Sequence, residues 1–205
     1  MSYQYWPEIS FYLKEIEREK LFLAIKPSTE QVELTRKKIK DLLDVLKTNL
    51  EQTLEKQNTS LILFAIVALV DEEMQRCLFE NGRLAWPPLQ KDFYGAYNAG
   101  EIFYKTIDDI IDEPNTPTIV YEVYYFILKR GFKGKHRDSK TQIAKHLDLL
   151  RDKIPLITTS HKDQSDAQRN AANKARIKKA HYYLIAASLV VGVFFLLRYL
   201  SEAPL

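Results

Sequence analysis

Apolar residues recur at helical spacing through most of this chain. Val32, Ile39, Leu42, Leu43, Leu46, Leu50 and Leu54 fall on one face of a single long helix. The box Ser28-Thr29-Glu30-Gln31, directly after Pro27, is a helix-opening signal in front of it. An earlier amphipathic segment covers about residues 9–25. After the polar stretch Gln57-Asn58-Thr59-Ser60 comes the uninterrupted apolar run Leu61–Val70. Ten residues are too few to cross a bilayer, so this run predicts the buried central helix of a domain, continuing to Glu80 and stopped by Asn81-Gly82.

Helical punctuation continues downstream. Trp86-Pro87-Pro88 restarts the chain ahead of a short helix over Leu89–Tyr94. Asn98-Ala99-Gly100-Glu101 reads as a cap for a helix ending at Asp112-Glu113-Pro114. Thr116-Pro117 supplies a cap and a first-turn proline for a helix through Tyr121–Lys129, which stops at Gly131. Ser139-Lys140-Thr141-Gln142 is a further capping box, with its helix ending near Pro155. No stretch alternates with the period of a strand, and no repeat is visible. The expectation is an all-α body of about seven or eight helices over residues 1–156.

The pattern changes at the end. From Tyr182 to Leu197 no side chain is charged, and the run is apolar on every face. As a helix, Tyr182–Leu200 would extend about 28 Å, close to the thickness of a bilayer core. Leu189, Val193, Phe194, Phe195 and Leu197 are its apolar body, Tyr182 and Tyr183 sit at one interface, and Arg198 reaches the other by extending its long side chain. Residues 157–180 read as a polar linker and a basic juxtamembrane segment, residues 181–200 as a single membrane anchor, and residues 201–205 as a short tail on the far side. Arg169, Lys174, Arg176, Lys178 and Lys179 precede the run, which places the large N-terminal body in the cytoplasm. Residues 1–8 have neither the basic start nor the apolar core of a signal peptide.

Charge sharpens this picture. The formal net charge of +3 is concentrated beside the anchor, where anionic lipid attracts it, and the rest of the chain balances to within about a charge. A nucleic-acid-binding surface is therefore not expected. The lone Cys77 excludes internal disulfides and fits a reducing compartment. His136, His146, His161 and His181 stand apart without metal-ligand spacing, so neither metal nor cofactor is expected. Gly131-Phe132-Lys133-Gly134-Lys135 follows a helix and lacks the Gly-Lys-Ser/Thr ending of a phosphate loop; it reads as a helix stop at Gly131 and a tight turn at Gly134. No catalytic constellation emerges.

Two features remain. Asp71 and Glu72 directly follow the most apolar run of the body, and they point about 100° apart on a helix, so they do not converge on one reacting atom. They are an exit from the core, an intramolecular lock or an edge that meets a partner. The other feature is the aromatic density of Tyr121, Tyr124, Tyr125 and Phe126, which serves either a core or a docking groove.

The order of these blocks carries a resemblance. Leu69-Val70-Asp71-Glu72 is followed by Trp86, then Ala99-Gly100-Glu101-Ile102-Phe103-Tyr104, then Glu122-Val123-Tyr124-Tyr125-Phe126-Ile127-Leu128 and Gly131-Phe132-Lys133-Gly134-Lys135, with an apolar run at the end. Over about residues 60–155 plus the anchor, this resembles the IcmH/DotU family, whose members in type VI secretion systems are called TssL. Ile127 stands where the family often has Cys, and His136 where it often has Tyr.

The resemblance implies a cytoplasmic domain of two packed helical bundles on the bacterial inner membrane, without enzymatic activity. It implies a scaffold role beside an IcmF-like (TssM) inner-membrane protein and recruitment of a baseplate that includes TssK; with that role the body is expected as a monomer or weak homodimer. It places Asp71 and Glu72 in a cleft between bundles and the glycine loop at Gly131 and Gly134. The partner-binding residues expected on this basis are Asp71, Glu72, Trp86, Tyr124, Tyr125, Gly131, Phe132 and Gly134. The competing reading is a tail-anchored regulator whose helical groove binds amphipathic peptide helices.

Overall fold

The computed structural model describes residues 2–25, 27–81, 84–95 and 98–155. They lie in the first of two units, Met1–Pro155 and Leu156–Leu205. Seven α-helices account for most of the described residues: α1 (Trp6–Ile25), α2 (Thr29–Leu50), α3 (Lys56–Asn81), α4 (Leu89–Tyr94), α5 (Ala99–Asp112), α6 (Thr118–Arg130) and α7 (Lys140–Lys153). Short 3-10 turns occur at Ser2–Gln4 and Gly134–His136, and no strand occurs among the described residues. The expected anchor residues Tyr182, Tyr183, Leu189, Val193, Phe194, Phe195, Leu197 and Arg198 lie outside the described residues. None of the described helices is long and apolar enough to cross a membrane.

Helix α3 is the axis of the body. Every residue from Ile62 to Asp71 is buried, so this stretch is covered on all sides. Helices α1 and α2 pack against each other and against α3. Bonds from Asn49 to Glu8 and from Lys38 to Glu19 set α1 and α2 antiparallel. Helices α5 and α6 also pack on α3, and α7 closes over both. The Tyr124 hydroxyl donates to the Leu61 carbonyl, while Arg130 reaches Glu73, so α6 runs parallel to α3. The two helical groups thus share α3.

Local chemistry explains several element ends. The Ser28 side chain accepts from the Gln31 amide at 3.1 Å and starts α2. Ser139 accepts from Gln142 in the same way at α7. Gly131, at φ 105°, ends α6 in the left-handed conformation that other residues resist.

Four boundaries differ from the sequence expectation. Helix α2 ends at Leu50, and Leu54 packs on the core from the turn beyond it. Helix α3 opens at Lys56, so the polar stretch Gln57–Ser60 is already helical ahead of the apolar run. Asn98 makes no side-chain cap; the Gln90 side chain accepts from the Ala99 amide at 2.7 Å instead. Pro117 stands before α6 rather than within it, and the Thr116 hydroxyl turns back to the Ile110 carbonyl. Tyr121 donates to that same carbonyl at 3.0 Å, so two hydroxyls satisfy an otherwise unpaired carbonyl at the end of α5.

Candidate functional site

Three consecutive carboxylates near the middle of α3 reach in three different directions. This follows from the roughly 100° between successive helical side chains, which sends neighbours to different faces. Asp71 is buried and accepts the Trp86 indole N–H at 2.8 Å, the Leu89 amide at 2.8 Å and the Gln90 amide at 2.9 Å. It therefore satisfies the first unpaired donors of α4 and fixes the Trp86 ring at once. Burial pushes the Asp71 carboxyl above its ordinary range, against the pull of the three donors.

Glu72 points to the glycine loop. Its carboxylate accepts from the Lys133 amide at 3.0 Å and the Gly134 amide at 2.8 Å. Gly134 adopts φ 50°, which turns successive N–H groups toward one anion. The Tyr104 hydroxyl donates to the Lys133 carbonyl at 2.9 Å, and Phe132 is buried with its ring 4.5 Å from that of Phe103.

Glu73 faces the third direction. Lys20 bonds both Glu17 and Glu73, and Arg130 bonds the same two acids, closing a four-membered ring of charges that ties α1, α3 and α6. Burial raises the Glu73 carboxyl, but Arg130 and Lys20 outweigh it and hold it below the usual range. A depressed acid stabilises the fold above its unfolded pKa, and that contribution is lost as pH falls through the lower folded value. Glu73→Gln is therefore expected to lower stability at neutral pH and to flatten its loss as pH falls through the acid range. Denaturant midpoints of the two proteins across that range measure the effect; parallel curves would refute it.

The two glycine-bearing blocks meet in space. A Cβ on Gly100 would lie 3.0 Å from the Gly134 Cα, and a Cβ on Gly134 would lie 2.8 Å from the Gly100 carbonyl oxygen. The contacts form a closed circuit. Asp71 holds the start of α4, the Gln90 side chain holds the start of α5, Gly100 abuts Gly134, and Glu72 holds Gly134 to α3.

The residues expected to bind partners divide into an interior and a surface. Asp71, Trp86, Tyr124 and Phe132 are buried, Glu72, Tyr125 and Gly134 are half-buried, and Gly131 is exposed. The structure thus brings Asp71, Glu72, Trp86, Phe132 and Gly134 together around one cleft of about 280 Å³. Tyr124 lies inside, with its ring 4.8 Å from that of Phe103. Tyr125, half-buried, has the Lys129 ammonium 5.9 Å from its ring centroid. Neither tyrosine lines that cleft. Sequence reasoning missed Glu73, Gln90 and the meeting of Gly100 with Gly134; the only local signal was a third acid after the pair. Cys77 lies near the Lys20 carbonyl, and burial raises its thiol, which disfavours the reactive thiolate. Among the described residues no His, Cys, Asp or Glu cluster could hold a metal ion.

These features define a helical protein whose signature blocks form an interlocked support rather than a convergent set of reacting groups. The chain belongs to the DotU family: the family described as type VI secretion system protein DotU matches residues 21–201. It is a DotU/TssL-like component of a type VI secretion system.

Among solved structures, DotU from Francisella novicida aligns at 23% identity and TM-score 0.62, covering 72% of this chain and 97% of that one. SciP/TssL from enteroaggregative Escherichia coli 042 aligns at 21% identity and TM-score 0.53, covering 73% and 91%. The cytoplasmic domain of TssL from Acinetobacter baumannii gives 19% identity and TM-score 0.54, covering 73% and 98%. At these identities the likeness speaks for the fold. No curated protein matches.

Proposed function

We propose that this protein is a tail-anchored scaffold of the bacterial inner membrane, with residues 1–156 in the cytoplasm and residues 181–200 crossing the bilayer. It pairs with an IcmF/TssM-like protein and helps recruit the baseplate through TssK, and on the same reading the body is a monomer or weak homodimer. The family match over residues 21–201, which includes the apolar run, carries the proposal. The circuit through Asp71, Glu72, Gly100 and Gly134 supports it, because it holds the loops around a cleft in one shape. Asp71, Trp86 and Phe132 serve partners by holding that surface, whereas Glu72, Tyr125, Gly131 and Gly134 are accessible to contact them. Anchoring concentrates the body in the membrane plane, where weak contacts between subunits suffice for assembly.

Purification of the full chain from bacterial membranes in mild detergent is expected to recover an IcmF-like protein. Protease added to the outer side of the inner membrane should leave the body intact. Recovery of the full-length chain in the soluble fraction, or digestion of the body from outside, would overturn the proposal.

A further inference from the structure

A second cleft, of about 420 Å³, lies on the solvent side of Glu72 and is lined by Glu72, Gln75, Arg76, Phe79, Lys133 and Arg137. Its chemistry is lopsided. Glu72 is its one acid, and that carboxylate is already bonded to the backbone of Lys133 and Gly134. Arg76, Lys133 and Arg137 form no ion pair with a described residue, whereas Lys20 and Arg130 are neutralised by Glu17 and Glu73. Among these unpaired cations stands Phe79, 67% exposed near the end of α3. The loop that presents Lys133 and Arg137 is held from beneath by Glu72 and Tyr104, so the cations project from a fixed backbone. An anion without an apolar group would leave Phe79 uncovered. An apolar ligand without acids would desolvate three cations and give them no counter-charge.

We propose that this cleft docks an acidic segment of a partner protein that carries one apolar side chain, with that side chain against Phe79 and its carboxylates at Arg76, Lys133 and Arg137. The proposal rests on the scaffold reading for the partner's being a protein, and it adds where that protein is held and by what chemistry. The attraction is electrostatic at long range and apolar at contact, so association weakens with salt while the Phe79 contribution persists.

The test uses the full chain in a zwitterionic detergent and a fluorescent peptide with one leucine among glutamates, followed by anisotropy. Control peptides carry glutamine for glutamate or serine for leucine. Binding is expected to fall about tenfold or more with either control peptide, with Phe79→Ser, and with Arg76→Glu or Arg137→Glu. All three positions are at the surface, so these variants keep their helical signal. Retention of that signal by circular dichroism accompanies each measurement. Absence of peptide binding, or binding indifferent to all three substitutions, would overturn the proposal. If short-chain phosphatidylglycerol rather than the peptide gives the response that depends on Phe79 and Arg76, the cleft faces lipid and the proposal also falls. Recovery of the IcmF-like protein alongside a silent peptide would remove the docking site and leave the scaffold standing.

Discussion

Asp71→Ala is expected to destabilise the body by about 3–5 kcal/mol, a large part of the total stability of an ordinary domain. The carboxylate is the acceptor for three donors, the Trp86 indole and the Leu89 and Gln90 amides. Its loss leaves all three facing a space that methyl cannot fill, and each buried unsatisfied donor costs about 1–3 kcal/mol. The damage spreads because Gln90, once displaced, no longer holds the Ala99 amide at the start of α5. Asp71→Asn is expected to fall between alanine and the wild type, since an amide keeps one acceptor oxygen and turns a donor toward the amides. Denaturant unfolding of the full chain in detergent measures the loss, and the Trp86 indole, now wetted, should shift its fluorescence to the red. A change below about 1 kcal/mol would mean that the carboxylate is not the support that its geometry describes.

Gly134→Val is expected to cost about 3 kcal/mol or more and to disrupt assembly without preventing membrane insertion. Two penalties combine. The residue sits at φ 50°, where a β-branched side chain is strained. Its Cβ would lie 2.8 Å from the Gly100 carbonyl oxygen and 3.0 Å from the Gly100 Cα, both backbone atoms that cannot rotate away. Glu72 would then lose the amides that it holds. Gly100→Ala is the companion experiment. It gains helix propensity but places a Cβ 3.0 Å from the Gly134 Cα, so a net loss of stability isolates the close approach. The double variant Gly100→Ala/Gly134→Ala should lose less than the two single losses together, because one displacement of the loop relieves both clashes. Strict additivity would show that the glycines do not meet.

The order and type of the helices were legible without coordinates. Apolar spacing identified α2, the apolar run identified α3, and Ser28, Ser139 and Gly131 marked element ends that the structure retains. Where sequence reading strayed, a distant partner overrode the local one. Asn98 is an ordinary cap by type, yet the Gln90 side chain does the capping. Thr116 is likewise a cap by type, yet its hydroxyl bonds the end of α5. Tyr124 and Trp86 have hydroxyl and indole groups suited to a docking surface, but both are turned inward to the Leu61 carbonyl and the Asp71 carboxylate.

The linear pattern is thus enough for an all-helical body, its helix ends to within a few residues, and the blocks that mark its family. Those properties depend on residues within a turn or two of each other, where periodicity and capping act. The roles of Asp71, Glu72 and Glu73 come from long-range packing. Each was an acid beside an apolar run until the packing of α1, α4, α6 and the glycine loop around α3 brought their partners within hydrogen-bond reach. A one-dimensional pattern records which face a side chain points from, and only the folded chain supplies the donor that it points to.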